Sequence, residues 1–455
     1  MKKTGIERAI EAARKQLAGS DAEAETPAAA SARATDVDAV RLTLAEADEH
    51  AERIVAYMSD APGARFVDVA GGLRRRCDTV DEILLLVAAP QPAEVMRHFT
   101  EYPQATAVSA LDVSRGSLTL ECGINVDLRV VPPRCFGATH HHLTGADDYD
   151  AAIREMGLDR NIRISEYGVF KLVPGKAGAR RIGGRREEDV FEALHIDAIP
   201  PELRENRGEL EAAARHALPQ LITIADIRGD LHLHISAGTG QDPLNTMVRA
   251  CHSMGYDYCA ISDRLPADGT GRRRATLRQH ARTLAALRRD SGMDLLLGID
   301  ANIGDDGSVD VTDEERAILD IVVASIHSPV TTSGSRLTER IIRALRQPSV
   351  DILAHPPAAA DMDAVLGAAT AYGVAVEISP RTDRPDFSDS LIRTAKELGT
   401  VLIVSSNAHA AHDIPGMRYA VDRARRGWVE PDSVLNARDG TALRLWLARR
   451  RDARH

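Results

Sequence analysis

The 455-residue sequence is poor in cysteine and in aromatic residues, and both scarcities restrict what the protein can be. Its five cysteines, Cys77, Cys122, Cys135, Cys251 and Cys259, form no CxxC pair. An odd, scattered set of cysteines argues against a disulfide framework and leads us to expect a reducing, cytoplasmic environment. Aromatic residues make up 4% of the chain, so few side chains are available to stack on nucleic-acid bases.

The sequence also lacks long apolar runs and a recognisable secretion signal. No stretch is apolar over the length that crosses a bilayer, so we expect no membrane partner. The first residues, MKKTGIERAIEAARKQLAG, are basic but interrupted by charges, and they do not predict a signal peptide. The net charge of −10 argues against general binding of nucleic acid, although it does not exclude a local basic groove.

The length predicts two or three domains. Residues 1–18 predict a short amphipathic helix and residues 19–40 a flexible, Ala-rich linker, so that 1–40 precede the first folded domain. From residue 221 onward, apolar strands alternate with helical segments, a pattern that predicts a parallel α/β barrel. In such barrels the chemistry lies at the C-terminal ends of the strands.

One short stretch, RGDLHLHISAGTG at residues 228–240, places two histidines one residue apart. Alternate side chains of a strand share a face, so His232 and His234 could bind one ion or could be core histidines. Later strand ends supply further candidate ligands, namely Asp300, His327, His355, Asn407 and His409. Candidate ligands thus recur at the ends of successive predicted strands, which favours a metal site.

The order of these ligands resembles that of the PHP (polymerase and histidinol phosphatase) metal-dependent phosphoesterases. Over residues 42–440 the chain resembles bacterial family X DNA polymerases, which carry a C-terminal PHP domain. The resemblance lies in VAGGLRRRCDTVDEILLLV, GINVDLRVVPPRCFGA, ISEYGVF, IPPELRENRGELEAA, DIRGDLHLH, ASIHS and MRYAVDRARRGWVEPDSVLN. It implies an α/β protein with a nucleotidyltransferase-like α+β palm and thumb at 41–175, a connecting segment at 176–224 and a distorted (βα)7 PHP barrel at 225–445.

By this resemblance, a divalent metal would be bound by His232, His234, Asp300, His327, His355, Asn407 and His409. Imidazole-rich ligation suits Mn, Zn or Fe, and we expect one or two ions. Asp300 stands where the family has a bridging Glu, and Asn407 where it has Asp. Thr239 and Arg264 fall where ligands are expected, so a third metal site is expected to be lost.

We assign catalytic roles to four of these residues, His232, His234, Asp300 and His327, and to Arg264. Our hypothesis for Arg264 is that its guanidinium binds a substrate phosphate bidentately. The alternative is that it only forms a salt bridge with Asp263 or Asp300.

The polymerase site is predicted to be degenerate. Family X polymerases hold two Mg²⁺ with a D-x-D pair and a third Asp, whereas TVDEILLLV at residues 79–87 places Glu82 and Leu84 at the pair. Asp127 preserves the third carboxylate, and Asp81 points to the other face of the strand. Gly71 and Gly72, with Arg74 and Arg75, are candidate phosphate-binding residues, although an arginine cluster (Arg74 to Arg76) is more often a solvated face. Only the predicted helix and linker precede the resemblance, so we expect the family's N-terminal DNA-binding modules to be missing.

These observations favour a PHP-type metal-dependent phosphoesterase, a 3′–5′ exonuclease or repair-type DNA phosphodiesterase that has lost polymerase activity. The first alternative is a catalytically inactive scaffold that binds DNA or nucleotides. The second is a phosphatase of a small phosphorylated metabolite. The expected partner is therefore DNA or another phosphate ester, and the oligomeric state is left open.

Overall fold

The computed structural model describes residues 40–172, 179–265, 271–327, 333–380 and 387–452. The helix predicted at 1–18 and nearly all of the linker predicted at 19–40 lie outside the described residues. The chain divides into two compact units, Met1–Leu218 and Pro219–His455. The boundary between them lies a few residues before the start at 225 that the sequence predicts for the barrel.

The strands of the first unit are β1 (Leu42–Thr43), β2 (Phe66–Ala70), β3 (Thr79–Val80), β4 (Glu82–Ala88), β5 (Ala105–Leu111), β6 (Arg115–Leu120) and β7 (Asn125–Val131). Five of them form a sheet with the order β2-β4-β7-β6-β5, in which β4 and β7 are parallel, and β1 pairs with β3. Its first helices are α1 (Leu44–Ser59), α2 (Gly71–Arg74) and α3 (Pro92–Thr100). Helix α1 begins with a capping box, because the Thr43 side chain accepts from the Glu46 amide while Glu46 accepts from the Thr43 amide.

The remainder of the first unit follows this sheet along the chain. It contains α4 (Phe136–Thr144), α5 (Asp147–Asp159), β8 (Ile162–Ser165), β9 (Gly168–Leu172), β10 (Ala179–Gly183), α6 (Glu188–Leu194), a 3₁₀ turn (Pro201–Leu203) and α7 (Glu209–Ala214). Strands β8, β9 and β10 form an antiparallel sheet. Strand β10 and helices α6 and α7 lie in the stretch 176–224, which the sequence analysis assigned to a connecting segment, and the structure places them within the first compact unit.

The second unit is built on seven parallel strands in sequential order, β11 to β17. They are β11 (Gly229–Leu233), β12 (Tyr258–Ile261), β13 (Asp294–Asn302), β14 (Ile321–Ser325), β15 (Ile352–Leu353), β16 (Ala375–Ile378) and β17 (Leu402–Val404). A parallel bridge joins Leu233 to Ala408, and the His234 amide donates to the Ala408 carbonyl at 2.9 Å. The first strand thus meets the segment after the last one. The predicted parallel barrel is confirmed as a nearly closed sheet.

Helices surround this barrel. They are α8 (Leu244–Ser253), α9 (Arg272–Ser291), α10 (Asp313–Arg316), α11 (Ser335–Leu345), α12 (Met362–Tyr372), α13 (Asp389–Glu397), α14 (Met417–Arg426) and α15 (Gly440–Asp452), with 3₁₀ turns at Ile224–Asp226, Ala411–Gly416, Pro431–Ser433 and Leu435–Ala437. The longest described helix, α9, has 20 residues and seven arginines. None of the helices in the described ranges combines the length and apolar composition needed to cross a membrane.

Candidate functional site

The C-terminal ends of the barrel strands bring the predicted polar residues together. Strands β12, β14 and β16 are buried at every position, as is typical of parallel strands covered on both faces. Polar side chains on or just after the seven barrel strands therefore meet at one end of the barrel. They are His232, His234, Asp263, Arg264, Asp300, His327, His355, Glu377, Asn407 and His409.

His232 lies at the centre of the cluster and is fully buried. Its Nδ1 lies 2.7 Å from Oε1 of Glu377, and its Nε2 is 4.0 Å from Oδ2 of Asp300. That Nε2 atom is buried and has no hydrogen-bond partner. Since buried polar atoms are nearly always satisfied, an unpaired imidazole nitrogen aimed at a carboxylate indicates a place for a ligand.

Asp300 connects His232 to the outer part of the site. Its Oδ1 accepts from the Ser325 hydroxyl at 2.6 Å, and its Oδ2 lies 2.9 Å from Nε2 of His327. The guanidinium of Arg264 donates to the same Oδ2 from Nε at 3.3 Å and from Nη2 at 3.2 Å. The salt bridge with Asp300, one of the alternatives considered for Arg264, is therefore present.

Glu377 is the site residue that the sequence analysis missed. It is buried on β16, where it accepts from Nδ1 of His232 and from the Ser405 hydroxyl. Its Oε2 lies 3.4 Å from Nε2 of His355. A signal was available, because a glutamate inside the apolar strand segment VAVEIS is rarely buried without a partner.

His234 is held on both sides of its ring. Its Nε2 lies 3.2 Å from Oδ1 of Asn407, and its Nδ1 lies 3.1 Å from Oγ1 of Thr239. The ring of His409 stacks on it, with centroids 4.1 Å apart. In this arrangement both ring nitrogens of His234 have protein partners, so binding an ion would require one partner to move.

Gly238 lets the loop that carries Thr239 approach the site. A Cβ at this position would lie 2.4 Å from Oδ1 of Asp263 and 2.5 Å from the Arg264 carbonyl. The Asp263 Oδ1 atom accepts from the amides of Thr239 at 3.2 Å and Arg264 at 3.0 Å. This buried carboxylate thus ties together the two positions where the family resemblance led us to expect metal ligands.

Charges rather than burial alone set the protonation of the cluster. Burial disfavours an imidazolium, yet the carboxylates of Glu377 and Asp300 raise the pKa of His232 to about 9. Burial would raise the pKa of Glu377, but His232 and His355 lower it to about 2. Against the same effect of burial, His327 and His232 hold the pKa of Asp300 well below its usual range. The carboxylates therefore favour a positive charge between them.

The backbone is strained at two of the site residues. His355 and Asn407 both have a φ of 49°, in the left-handed region that residues other than glycine rarely adopt. Each follows the end of a short strand, β15 or β17. Strain of this kind persists where the surrounding structure imposes it, and it is frequent at functional sites.

Among the described residues, two overlapping groups of side chains could hold a metal ion. The ligand atoms of His232, His234 and Asp300 lie within 4.8 Å of one another, as do those of His232, His355 and Glu377. The unpaired His232 Nε2 and the carboxylates fit a divalent cation, which would replace the proton of His232. Of the other predicted ligands, His327 contacts Asp300, while Asn407 and His409 contact His234.

The predicted remnant of a polymerase site lies in the first unit. Leu84 on β4 is directly paired with Asp127 on β7, and Glu82 is paired with Asn125. A Cβ on Gly71 would lie 3.7 Å from the Leu84 Cβ, so this glycine faces the same point. The leucine side chain therefore stands next to Asp127, where the resemblance led us to expect a carboxylate.

The arginines that follow Gly71 and Gly72 are engaged in ion pairs. Arg74 binds both carboxylate oxygens of Glu187 at 2.8 Å, and Arg75 donates to Glu205 at 2.9 Å. Arg76 pairs with Asp48 at 2.6 Å. The side chains of Arg74 and Arg75 are 18% and 16% exposed, so they do not form a solvated face. Phosphate binding by these residues stays a prediction.

Comparisons with known proteins agree with this architecture. Residues 139–205 match the family described as DNA polymerase beta thumb. The chain is 32% identical over 396 residues to the DNA polymerase/3′–5′ exonuclease PolX of Bacillus subtilis (strain 168), covering 84% of this chain and 68% of that protein. It is also 32% identical over 235 residues to a probable phosphatase of Shewanella sp. (strain MR-4), which covers 49% of this chain and 91% of that protein. A probable phosphatase of Thermoanaerobacter sp. (strain X514) is 28% identical over 221 residues, 46% of this chain and 89% of the relative.

Proposed function

The chain belongs to the family of the bacterial DNA polymerase/3′–5′ exonuclease PolX, and on that premise we propose that its second unit is a metal-dependent phosphoesterase that hydrolyses DNA from a 3′ end. The observation that carries the proposal is the buried cluster of His232, Asp300 and Glu377, with an unpaired imidazole nitrogen at its centre. The similarity to PolX and to probable phosphatases supports phosphoester hydrolysis as the reaction.

The position of each residue in the candidate site indicates its role. His232 belongs to both groups of candidate ligands, and it would hold an ion together with either His355 and Glu377 or His234 and Asp300. A divalent ion held there would activate water and neutralise charge at the phosphoryl oxygens. His327 lies 2.9 Å from Asp300 and is more exposed than His232, so it would orient that carboxylate and face the substrate side. Asn407 would fix the ring of His234.

Arg264 is the residue that we assign to the substrate phosphate. Its side chain is 38% exposed, whereas its partner Asp300 is 1% exposed, so the guanidinium lies at the rim of the buried cluster. Two of its N–H groups reach one carboxylate oxygen, which leaves other donors for a phosphate. We expect inorganic phosphate to inhibit hydrolysis more weakly in Arg264→Gln than in the wild type.

We also propose that the first unit no longer catalyses nucleotide addition. Two-metal phosphoryl transfer needs carboxylates that hold both metal ions. The side chain of Leu84, which lies beside Asp127, offers no ligand atom.

Metal analysis tests the proposal directly. We expect bound Mn, Zn or Fe in the purified wild type and its loss in His232→Ala/His327→Ala, measured by mass spectrometry. The matched control is His252→Ala/His412→Ala, which removes two exposed histidines of the same unit and should keep the metal. The same amount of bound metal in all three proteins would contradict the assignment of the metal site to these residues. No metal in any of them, and no stabilisation by added Mn²⁺ or Zn²⁺, would favour the inactive scaffold.

The choice of substrate separates exonuclease from phosphatase. The similarity to probable phosphatases over most of their length favours phosphomonoester hydrolysis as the second candidate. We expect the metal-loaded protein to shorten a 5′-labelled oligonucleotide and to cleave a nitrophenyl phosphodiester faster than nitrophenyl phosphate. The reverse order of rates, with an intact oligonucleotide, would instead identify a phosphatase.

A further inference from the structure

Helix α9 carries an unusually basic surface for an acidic protein. Seven of its 20 residues are arginine and Asp290 is its only acidic residue, while the whole chain has a net charge of −10. Two of these arginines have structural roles: Arg273 is buried against Glu315, and Arg288 pairs with Asp294.

Four of the remaining arginines lie along one side of the helix. Arg274, Arg278, Arg282 and Arg289, which we call the arginine stripe, are spaced by four, four and seven residues. At 100° per residue these positions fall within about 80° of one another, and the stripe is about 22 Å long. Arg278, Arg282 and Arg289 are exposed, and Arg274 is partly exposed.

Some arginines of the other barrel helices pair with a carboxylate of their own helix. Arg343 pairs with Glu339 and Arg393 with Glu397, each across one helical turn. Within the described ranges, the four stripe residues have no ion pair or hydrogen bond from their side chains. Like charges one turn apart destabilise a helix by a few tenths of a kcal/mol, so the stripe does not serve the stability of α9.

The topology places one end of the stripe beside the candidate site. In a parallel barrel each helix begins at the edge where the preceding strand ended. Helix α9 follows β12, whose end carries Asp263 and Arg264. The exposed positions between the arginines are small or polar, such as Ala285 and Gln279, so this face lacks the large apolar residues with which helices enter lipid.

We infer that the arginine stripe binds the phosphate backbone of a DNA strand whose end occupies the candidate site. The inference deepens the proposed function and rests on it for the class of ligand. Planar guanidinium groups bind phosphate oxygens bidentately, and a row of them follows a strand without reading its sequence. The stripe supplies a local basic surface although the chain as a whole is acidic.

The test is the salt dependence of DNA binding in metal-free buffer with chelator, where no hydrolysis occurs. A fluorescently labelled single-stranded oligonucleotide is titrated with the full chain, and anisotropy gives the affinity at several salt concentrations. For Arg278→Gln/Arg282→Gln/Arg289→Gln we expect the affinity at low salt to fall roughly tenfold or more. The slope of log K against log salt should become shallower by about 2, since each phosphate contact contributes roughly 0.7.

Two further variants make the result specific. The matched control, Arg53→Gln/Arg97→Gln/Arg343→Gln, removes three exposed, paired arginines from other helices and should keep the wild-type slope. Arg278→Lys/Arg282→Lys/Arg289→Lys retains the charge and should retain most of the binding. The inference is overturned if the wild type does not bind the oligonucleotide, or if the stripe variant and the control lose affinity equally. Hydrolysis of a small nitrophenyl ester, which cannot reach the stripe, reports separately on the proposed phosphoesterase.

Discussion

Replacing Glu377 by glutamine removes a buried charge from the candidate site without changing the shape of the side chain. Glu377 contacts Nδ1 of His232 at 2.7 Å and lies 3.4 Å from His355, so it touches two of the proposed ligands and offers its own Oε2. Loss of a carboxylate that orients a ligating histidine lowers metal affinity about 10- to 100-fold, or roughly 1.4 to 2.8 kcal/mol. If Oε2 itself binds the ion, the loss is larger.

The assay is calorimetric titration of metal-free protein with Mn²⁺ at one pH. Glu339→Gln is the matched control, since it removes a 62%-exposed carboxylate from the same unit and should bind Mn²⁺ as the wild type does. The reasoning is refuted if Glu377→Gln, folded as judged by circular dichroism, keeps the wild-type affinity. In that case the buried glutamate would only neutralise His232, and the ion would have to lie elsewhere.

Three further predictions concern other parts of the chain. With Leu84 beside Asp127, the wild type should not extend a primed template in Mg²⁺ or Mn²⁺, and extension on a sequencing gel would contradict the loss of the polymerase site. Arg74 and Arg204 hold the pKa of Glu187 below its usual range despite burial. The ionised Glu187 therefore stabilises the fold at pH values above the ordinary glutamate pKa, and this contribution is lost as the pH falls towards the pKa of the folded state. The free energy of unfolding in urea should therefore fall less steeply at acid pH in Glu187→Gln than in the wild type. The same dependence on pH in both proteins would contradict this. Gly238→Ala should lower the free energy of unfolding by about 1–3 kcal/mol, because its Cβ would meet Asp263, whereas Gly367→Ala in α12 has open space and should not destabilise the protein.

The barrel could be predicted because its signal is local. Each strand is a short apolar run that ends in a polar residue, as in LHLH and SIHS, and that period is visible without any tertiary information. Glu377 was not predicted as a site residue because it is not a histidine and because it lies inside its strand rather than at the strand end. Only the structure shows that its oxygen meets His232, a residue 145 positions earlier in the chain.

The partners of the arginine cluster were hidden for the same reason. From the sequence, Arg74 and Arg75 could be phosphate ligands or part of a solvated face, because a run of arginines does not show which carboxylates pair with it. Their carboxylate partners, Glu187 and Glu205, lie 113 and 130 residues away. Sequence patterns report the type of a side chain and its local period, whereas ion pairs formed by distant segments depend on how the chain folds back.

The contact between Arg264 and Asp300 also bears on how many ions the site can hold. The guanidinium lies 3.2 Å from Oδ2 of Asp300, an oxygen that also lies close to Nε2 of His232 and of His327 and would be needed to hold a second ion there. Two unit charges of the same sign about 4 Å apart repel each other by about 4 kcal/mol at an effective dielectric constant of about 20. A divalent cation beside the guanidinium doubles that repulsion. We therefore expect one tightly bound ion per chain in the wild type, and a second in Arg264→Ala, both counted by mass spectrometry after gel filtration. Two tightly bound ions in the wild type would show that the arginine moves aside, and that its bond to Asp300 does not limit the site.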